Sequence, residues 1–169
     1  MGVTSNITTE KPKALEVIPG NVPAHIKEIP RWVCWRYEFL NWKWSKPPIN
    51  FKTGFIASLN DEKIFADFEE ATTAHHKESI ISDGIGFVLS ENDDIVGLDI
   101  DHCIVDGAIT DVAQSIITRF NSYTEVSPSG EGIRIFCRGH FPFTGRKNPK
   151  HGLEIYSSGR YLTVTGHTY

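Results

Sequence analysis

The chain has 169 residues, 40% of them hydrophobic and 22% charged, and a formal net charge of −4. This composition is typical of one globular domain, or of two tightly fused halves, and excludes a chain too short to bury a core. An apolar run long enough to span a bilayer and a signal-peptide pattern are both missing, so we predict a cytoplasmic protein without membrane contact. Three cysteines lie far apart, which argues against a disulfide framework or a zinc site.

The first part of the chain is predicted to hold an irregular arm, a strand, a loop and a short hairpin. Residues 1–22 mix Thr, Lys, Pro and Gly without periodicity and are predicted to form a flexible or loosely attached arm. The aromatic and β-branched stretch Arg31–Tyr37 predicts a strand. A loop that holds Trp42, Trp44 and Lys46 follows over residues 41–48, and residues 49–56 predict a short hairpin.

Alternating strands and helices are predicted for the middle of the chain. Asn60 is typical of a helix N-cap, and the apolar spacing after it predicts one helix that ends near residues 75–78. Residues 84–89 and 95–103 each predict a strand. Asp106 and Gly107 are predicted to begin a second helix, whose apolar residues up to Phe120 recur at helical spacing.

The last part of the chain predicts strands joined by hairpins. Residues 123–126 and 133–137 predict two of them, and a basic loop follows over residues 139–152. Residues 153–156 and 161–164 predict a hairpin that turns through Ser-Ser-Gly. This mixture favours an α+β protein over a parallel Rossmann sheet. The chain stops directly after a strand, which suggests a domain excised from a longer protein.

The most informative motif is Asp99-Ile100-Asp101, because its flanking residues are apolar. On a strand, Val96, Leu98 and Ile100 would face a core, and the two aspartates would face the other side together. Neighbouring carboxylates repel each other unless a cation lies between them, and Mg²⁺ or Mn²⁺ prefers oxygen ligands. Glu154, isolated between apolar residues on another strand, could complete the set. The alternatives are a calcium-type structural site or a strand-end pair.

A glycine-rich turn and scattered cations are candidates for binding phosphate. Around Glu131, Gly130 and Gly132 allow close backbone approach to an anion, and Arg134 can bind phosphate oxygens with two nitrogens. Further candidates that contribute hydroxyl groups or cations are Ser127, Ser129, Lys46 and Arg160. The alternative for the turn is an ordinary turn. Seven acids between Glu91 and Asp111, and a basic stretch after Gly132, suit a polyanionic substrate or two solvated faces.

The order of these motifs resembles the archaeo-eukaryotic primase superfamily, and specifically the primase–polymerase domains of phage, plasmid and mobile-element replication proteins. The resemblance runs from about residue 25 to the end. Its motifs are Leu98–Asp101, Ser129–Arg134 and Leu153–Ile155. The second motif of the family often ends in His, and this chain has Arg134 there. Arg keeps the cation that contacts phosphate but cannot shuttle a proton near neutral pH.

The resemblance implies a fold in which an N-terminal α/β module packs on a C-terminal RRM-like antiparallel sheet, with the active site between them. Residues 23–169 would then form the catalytic domain. Asp99, Asp101 and Glu154 would be catalytic and would bind two Mg²⁺ or Mn²⁺ ions. The implied partners are nucleoside triphosphates, a single-stranded DNA template or primer, and a helicase that is fused C-terminally or associated.

The function predicted from these observations is that of a DNA-templated nucleotidyl transferase, a primase or polymerase. The glycine-rich turn and Arg134 would hold the triphosphate, with Lys46 and Arg160 contacting phosphate or template. Trp42 and Trp44 are candidates for stacking on a DNA base, or for the core. Two alternatives remain open: a metal-dependent nuclease, and a non-catalytic nucleic-acid-binding module of a replication initiator.

Overall fold

The computed structural model describes residues 10–169, and residues 1–9 lie outside the described part of the chain. The fold is mixed α and β with antiparallel sheets, as predicted. Its helices are α1 (Ala24–Lys27), α2 (Phe68–His75) and α3 (Asp111–Phe120). Its strands are β1 (Trp32–Trp35), β2 (Glu38–Leu40), β3 (Lys43–Ser45), β4 (Pro48–Ile49), β5 (Gly84–Val88), β6 (Ile95–Ile100), β7 (Ile104–Val105), β8 (Ala108–Ile109), β9 (Tyr123–Val126), β10 (Ile133–Arg138), β11 (Gly145–Asn148), β12 (Leu153–Tyr156) and β13 (Tyr161–Val164).

Two antiparallel sheets carry most of the architecture. The four-stranded sheet has the strand order β13-β5-β1-β4, and the five-stranded sheet has the order β11-β12-β6-β10-β9. The pairs β2–β3 and β7–β8 form two small hairpins. None of the helices in residues 10–169 is both long enough and apolar enough to cross a membrane.

The larger part of the core lies where the two sheets and α2 meet. Trp32 of β1 packs edge-on against Phe68 of α2, with ring centroids 4.8 Å apart. Phe87 of β5 contacts Phe136 of β10 at 6.3 Å, so aromatic rings join the two sheets. All these side chains are buried, and their apolar area is the main stabilising contribution at this contact.

The five-stranded sheet has two chemically different faces. One face buries alternate residues of β6, Val96, Leu98 and Ile100, against α3. The amphipathic pattern predicted for residues 109–120 is confirmed as α3, which begins at Asp111. The opposite face carries Gly97 and Asp99, because successive side chains of a strand alternate.

Local capping and turn chemistry explain two differences from the predicted helices. The helix predicted from Asn60 is instead a 3₁₀ turn at Glu62–Ile64 followed by α2, because Asp67 and Glu70 form a capping box that starts a new helix. Asp106 and Gly107 do not begin a helix. Their φ angles of 51° and 77° form the tight turn of the β7–β8 hairpin.

Long-range pairing explains two further differences. The predicted hairpin of residues 153–156 and 161–164 is wrong, because β12 pairs with β6 and β13 pairs with β5 in the other sheet. The loop predicted over residues 41–48 contains β3, which pairs with β2. The basic loop over residues 139–152 likewise contains β11, which pairs with β12.

The predicted N-terminal arm is packed on the body of the protein over its second half. Val17 and Val22 are buried in the core. The backbone N–H of Leu15 donates to the carbonyl of Pro128 at 2.9 Å, and that of Ile18 donates to the carbonyl of Thr165 at 2.8 Å. The arm is therefore not loosely attached up to residue 22, because Val17 and Val22 are part of the core.

Candidate active site

Charged side chains form a row across the five-stranded sheet, one from each strand. The directly opposite pairs are Lys147–Glu154, Glu154–Asp99, Asp99–Arg134 and Arg134–Glu125. Directly opposite residues of antiparallel strands place their side chains on the same face, about 5 Å apart. Pairing therefore brings together Asp99, Glu154 and Arg134, which belong to three motifs that are far apart in the sequence.

The row lies next to the contact between the two sheets. A side chain at Gly97 would place its Cβ 2.5 Å from Cδ1 of Leu162, so β13 lies directly on β6 at that point. Asp99 is the next residue of β6 on the same face, and Asp101 follows it directly after the strand ends. The N–H of Asp101 donates to the carbonyl of Gly152 at 3.0 Å, which ties this end of β6 to the start of β12.

Asp99 and Arg134 form a buried ion pair at the centre of the row. Nη1 of Arg134 donates to Oδ1 of Asp99, and the Arg134 side chain is 4% exposed. Burial, with the nearby charges of Asp101 and Glu154, raises the pKa of Asp99 to about 6, although Arg134 and Lys46 oppose this shift. Within the described residues, Nε of Arg134 is buried without a hydrogen-bond partner. Such a donor is costly to bury unpaired.

Lys46 extends this cluster from the loop after β3. Burial lowers the pKa of Lys46, and so does the charge of Arg134, whereas Asp99 and Asp101 act to raise it. The carbonyl of Lys46 accepts a hydrogen bond from the hydroxyl of Tyr161 on β13. Lys46, which was predicted to contact phosphate, therefore lies within the electrostatic reach of both aspartates.

Glu154 has its own cation and its own hydroxyl donor. Nζ of Lys147 donates to Oε1 at 2.6 Å, and the hydroxyl of Tyr156 donates to Oε2. Burial acts to raise the pKa of Glu154, but the hydrogen bonds from Lys147 and Tyr156 outweigh burial and lower it. The exposed guanidinium of Arg160 stacks 4.7 Å above the Tyr156 ring and lies close enough to favour the ionised carboxylate.

The glycine-rich turn between β9 and β10 lies against the end of β6. The hydroxyl of Ser127 is buried and accepts the N–H of Gly132 at 3.1 Å. A Cβ at Gly132 would lie 2.8 Å from the carbonyl oxygen of Ile100, so this position must be glycine for the turn to lie so close. Ser127 and Gly132 therefore shape the turn, while Ser129 is exposed near its tip and Gly130 adopts a φ of 80°.

The structure thus brings Asp99, Asp101, Glu154, Arg134 and Lys46 into one cluster. Three further residues of the site were not predicted as site residues: Lys147, Tyr156 and Glu125. Tyr156 could have been found from its spacing, because it lies two residues after Glu154 on the same strand. The positions of Lys147 and Glu125 depend on strand register, which cannot be read from the neighbouring sequence.

The carboxylates supply the oxygen donors that Mg²⁺ and Mn²⁺ prefer, and the pKa of Asp99 is raised chiefly because this carboxyl group is buried. Asp99 and Glu154 are nevertheless bonded to Arg134 and Lys147. In residues 10–169, groups of three or more His, Cys, Asp or Glu side chains are not arranged so that they could hold a metal ion. The oxygen donors are of the kind that a divalent ion prefers, whereas the arrangement of these side chains does not form a metal-binding group within the described residues.

Comparison with known proteins gives one informative match. The chain is similar to the DNA primase-polymerase of Nitratiruptor phage NrS-1, with 33% identity over 157 residues that cover 88% of this chain. The chain spans 21% of the length of that phage protein. No protein-family profile matches the chain. The similarity supports a relationship to primase-polymerases, and membership of the wider archaeo-eukaryotic superfamily stays a prediction.

Proposed function

We propose that this chain is a DNA-templated nucleotidyl transferase, the part of a DNA primase-polymerase that joins nucleotides. The observation that carries the proposal is the position of Glu154 directly opposite Asp99, one strand away, with Asp101 following directly after the end of β6. Acids from two separate motifs thereby lie beside a buried arginine. The similarity to the phage primase-polymerase supports the same reaction class.

In this proposal the three carboxylates bind Mg²⁺ or Mn²⁺. Bound divalent ions would lower the pKa of a 3′-hydroxyl group and neutralise charge on the triphosphate. The contribution of the chain is to hold Asp99 and Glu154 on paired strands, where backbone hydrogen bonds fix their separation. Such preorganisation is what makes charge stabilisation effective at the moment of reaction.

The triphosphate of the incoming nucleotide is assigned to the cations around these acids. Arg134 is buried and retains a free Nε donor within the described residues, so it can bind phosphate oxygens with two nitrogens. Lys46 lies in the same cluster, and Arg160 lies on the outer side of Tyr156. Ser129 and Gly130 present the tip of the turn to the phosphates. Because arginine stays protonated, Arg134 binds phosphate without transferring a proton.

One observation favours a second function, a non-catalytic nucleic-acid-binding module. The pairs Asp99–Arg134 and Glu154–Lys147 neutralise two of the acids without a metal. A module of this kind would bind DNA equally well with and without divalent ions. Cytoplasmic location and a helicase, fused or associated, have no support in these observations and stay predictions.

Extension of a labelled primer on a DNA template, with nucleoside triphosphates and Mg²⁺ or Mn²⁺, tests the proposal. Asp99→Asn should lower the extension rate by about 100- to 1000-fold, because the loss of a metal-binding carboxylate removes several kcal/mol of transition-state stabilisation. Asp106→Asn is the matched control, since Asp106 is exposed in the β7–β8 turn. Unchanged extension by Asp99→Asn would refute the proposal, and shortening of the primer would identify a nuclease instead.

A further inference from the structure

The tip of the β2–β3 hairpin holds a tryptophan in an unfavourable backbone conformation. Asn41 and Trp42 form the turn with φ angles of 50° and 62°. Asparagine tolerates this left-handed region, but a bulky residue rarely adopts it. The Trp42 side chain is also 78% exposed, so its apolar area contributes little to the fold. Strain and exposure at the same residue indicate that the indole serves another purpose.

The exposed indole is the end of a row of aromatic rings that leads back to the candidate active site. Phe39 contacts Trp42 at 6.5 Å and Trp44 at 5.3 Å, and Trp44 contacts Tyr37 at 6.4 Å. The rings meet edge to face, a favourable geometry that holds each ring in a fixed direction. Trp42 is therefore supported from the hairpin side while most of its surface faces solvent.

The inner end of this aromatic row lies within electrostatic reach of Arg134 in the charged cluster. Burial raises the pKa of the Tyr37 hydroxyl, as does Asp83, and the charge of Arg134 acts against this shift. On the other strand, β3 runs directly from the hairpin tip to Lys46. Four residues of extended chain span about 13 Å, the length of about four stacked bases. A DNA strand bound at Lys46 would thus reach Trp42 within a few nucleotides.

We propose that Trp42 is a stacking platform for an unpaired base of the single-stranded DNA held at this site. The inference rests on the proposed function and adds a second contact point, outside the reacting centre. Single-stranded DNA is the occupant that the chemistry favours, because exposed aromatic rings beside cations bind bases and phosphates together. Lys43, next to Trp42, is exposed, and Lys46 lies at the base of the same strand. Lys43 would contact a phosphate next to the stacked base, and Lys46 would contact one a few nucleotides away.

Binding of a fluorescein-labelled oligo-dT, measured by anisotropy in EDTA, tests the proposal without metal or catalysis. Trp42→Ala should weaken binding by about tenfold, which corresponds to the loss of one stacked base. Phe55→Ala is the matched control, because Phe55 is 75% exposed and does not belong to the β2–β3 hairpin. Trp42→Gly should weaken binding equally while the melting temperature stays the same or rises, since glycine accepts a positive φ.

An oligonucleotide with abasic positions separates stacking from other effects of the substitution. Loss of the bases should weaken binding to the wild-type chain but should have a much smaller effect on Trp42→Ala. Equal affinity of wild type and Trp42→Ala, or an abasic penalty that persists in Trp42→Ala, would overturn the proposal. If Trp42→Ala binds normally while Asp99→Asn abolishes extension, the stacking role fails and the proposed function stands. If Trp42→Ala loses binding while Asp99→Asn extends normally, the proposed function fails and the stacking role stands.

Discussion

Glu154 lies directly opposite Asp99 on neighbouring strands, yet each carboxylate is bonded to a different cation. Lys147 donates to Glu154, and Arg134 donates to Asp99. Two acids that would repel each other are thereby kept side by side by the chain's own positive groups. Substitution of either cation should therefore affect ligand binding and the electrostatics of the acids at the same time.

Arg134→Lys should raise the KM for the nucleoside triphosphate by about tenfold with a smaller effect on kcat. Lysine keeps the charge but loses the planar group that binds two phosphate oxygens. Steady-state extension kinetics at varied nucleotide concentration provide the measurement. Arg119→Lys, on the exposed side of α3, should leave both constants unchanged. A kcat effect of Arg134→Lys with no change in KM would contradict the role in nucleotide binding.

The affinity for Mn²⁺ should depend on pH through Asp99. Because burial raises the pKa of Asp99 to about 6, this carboxyl is ionised above that pH and takes up a proton below it. Protons then compete with the metal, and we expect about tenfold weaker binding for each pH unit below 6. Calorimetric titrations at several pH values provide the measurement. Asp99→Asn should bind weakly with a flatter pH profile, and an equally steep profile in this variant would exclude Asp99 as the titrating group.

Gly132→Ala should destabilise the fold and displace the turn between β9 and β10. Its Cβ would lie 2.8 Å from the carbonyl oxygen of Ile100, so the backbone must shift. Steric misfits of this kind cost about 1–3 kcal/mol in the free energy of unfolding. Gly139→Ala is the matched control, because its Cβ would meet nothing within 4 Å. Chemical denaturation measures both variants, and equal stability of the two would contradict the close contact.

Glu125→Ala should lower the free energy of unfolding by about 2–4 kcal/mol. The buried Glu125 carboxylate accepts the N–H groups of Thr165 and Gly166 at 3.0 and 2.9 Å, together with the hydroxyl of Tyr123. Its removal leaves these donors buried without partners. Glu91→Ala changes an exposed glutamate and should stay within about 0.5 kcal/mol of wild type. Denaturant titration followed by circular dichroism measures both variants. An unchanged free energy of unfolding in Glu125→Ala would contradict the prediction.

Periodicity in the sequence was sufficient for the strands and helices that have one buried face. The alternation around Asp99 predicts β6, and the apolar spacing up to Phe120 predicts α3, because each pattern matches the geometry of one element. The position of Glu154 on a strand near Asp99 was also expected, although the resemblance to a family contributed to that expectation.

The parts that sequence reasoning missed depend on partners far along the chain. Ser157, Ser158 and Gly159 give the local signal of a hairpin turn, but a turn signal does not specify which strand pairs with the next one. The strand β13 pairs with β5 in the four-stranded sheet, and its Leu162 packs over Gly97 of the other sheet. Similarly, Lys147 and Glu125 enter the charged row through strand register, which is set by the whole sheet.

The return of β13 to the first sheet has a consequence for protein synthesis. Its partner β5 is made more than 70 residues earlier. The edge of β5 that pairs with β13 therefore has no partner while the five strands of the other sheet are synthesised. Leu162 then closes over Gly97, beside Asp99. A nascent chain interrupted before this strand already contains Asp99 and Asp101 but lacks the residue that packs over β6 beside Asp99.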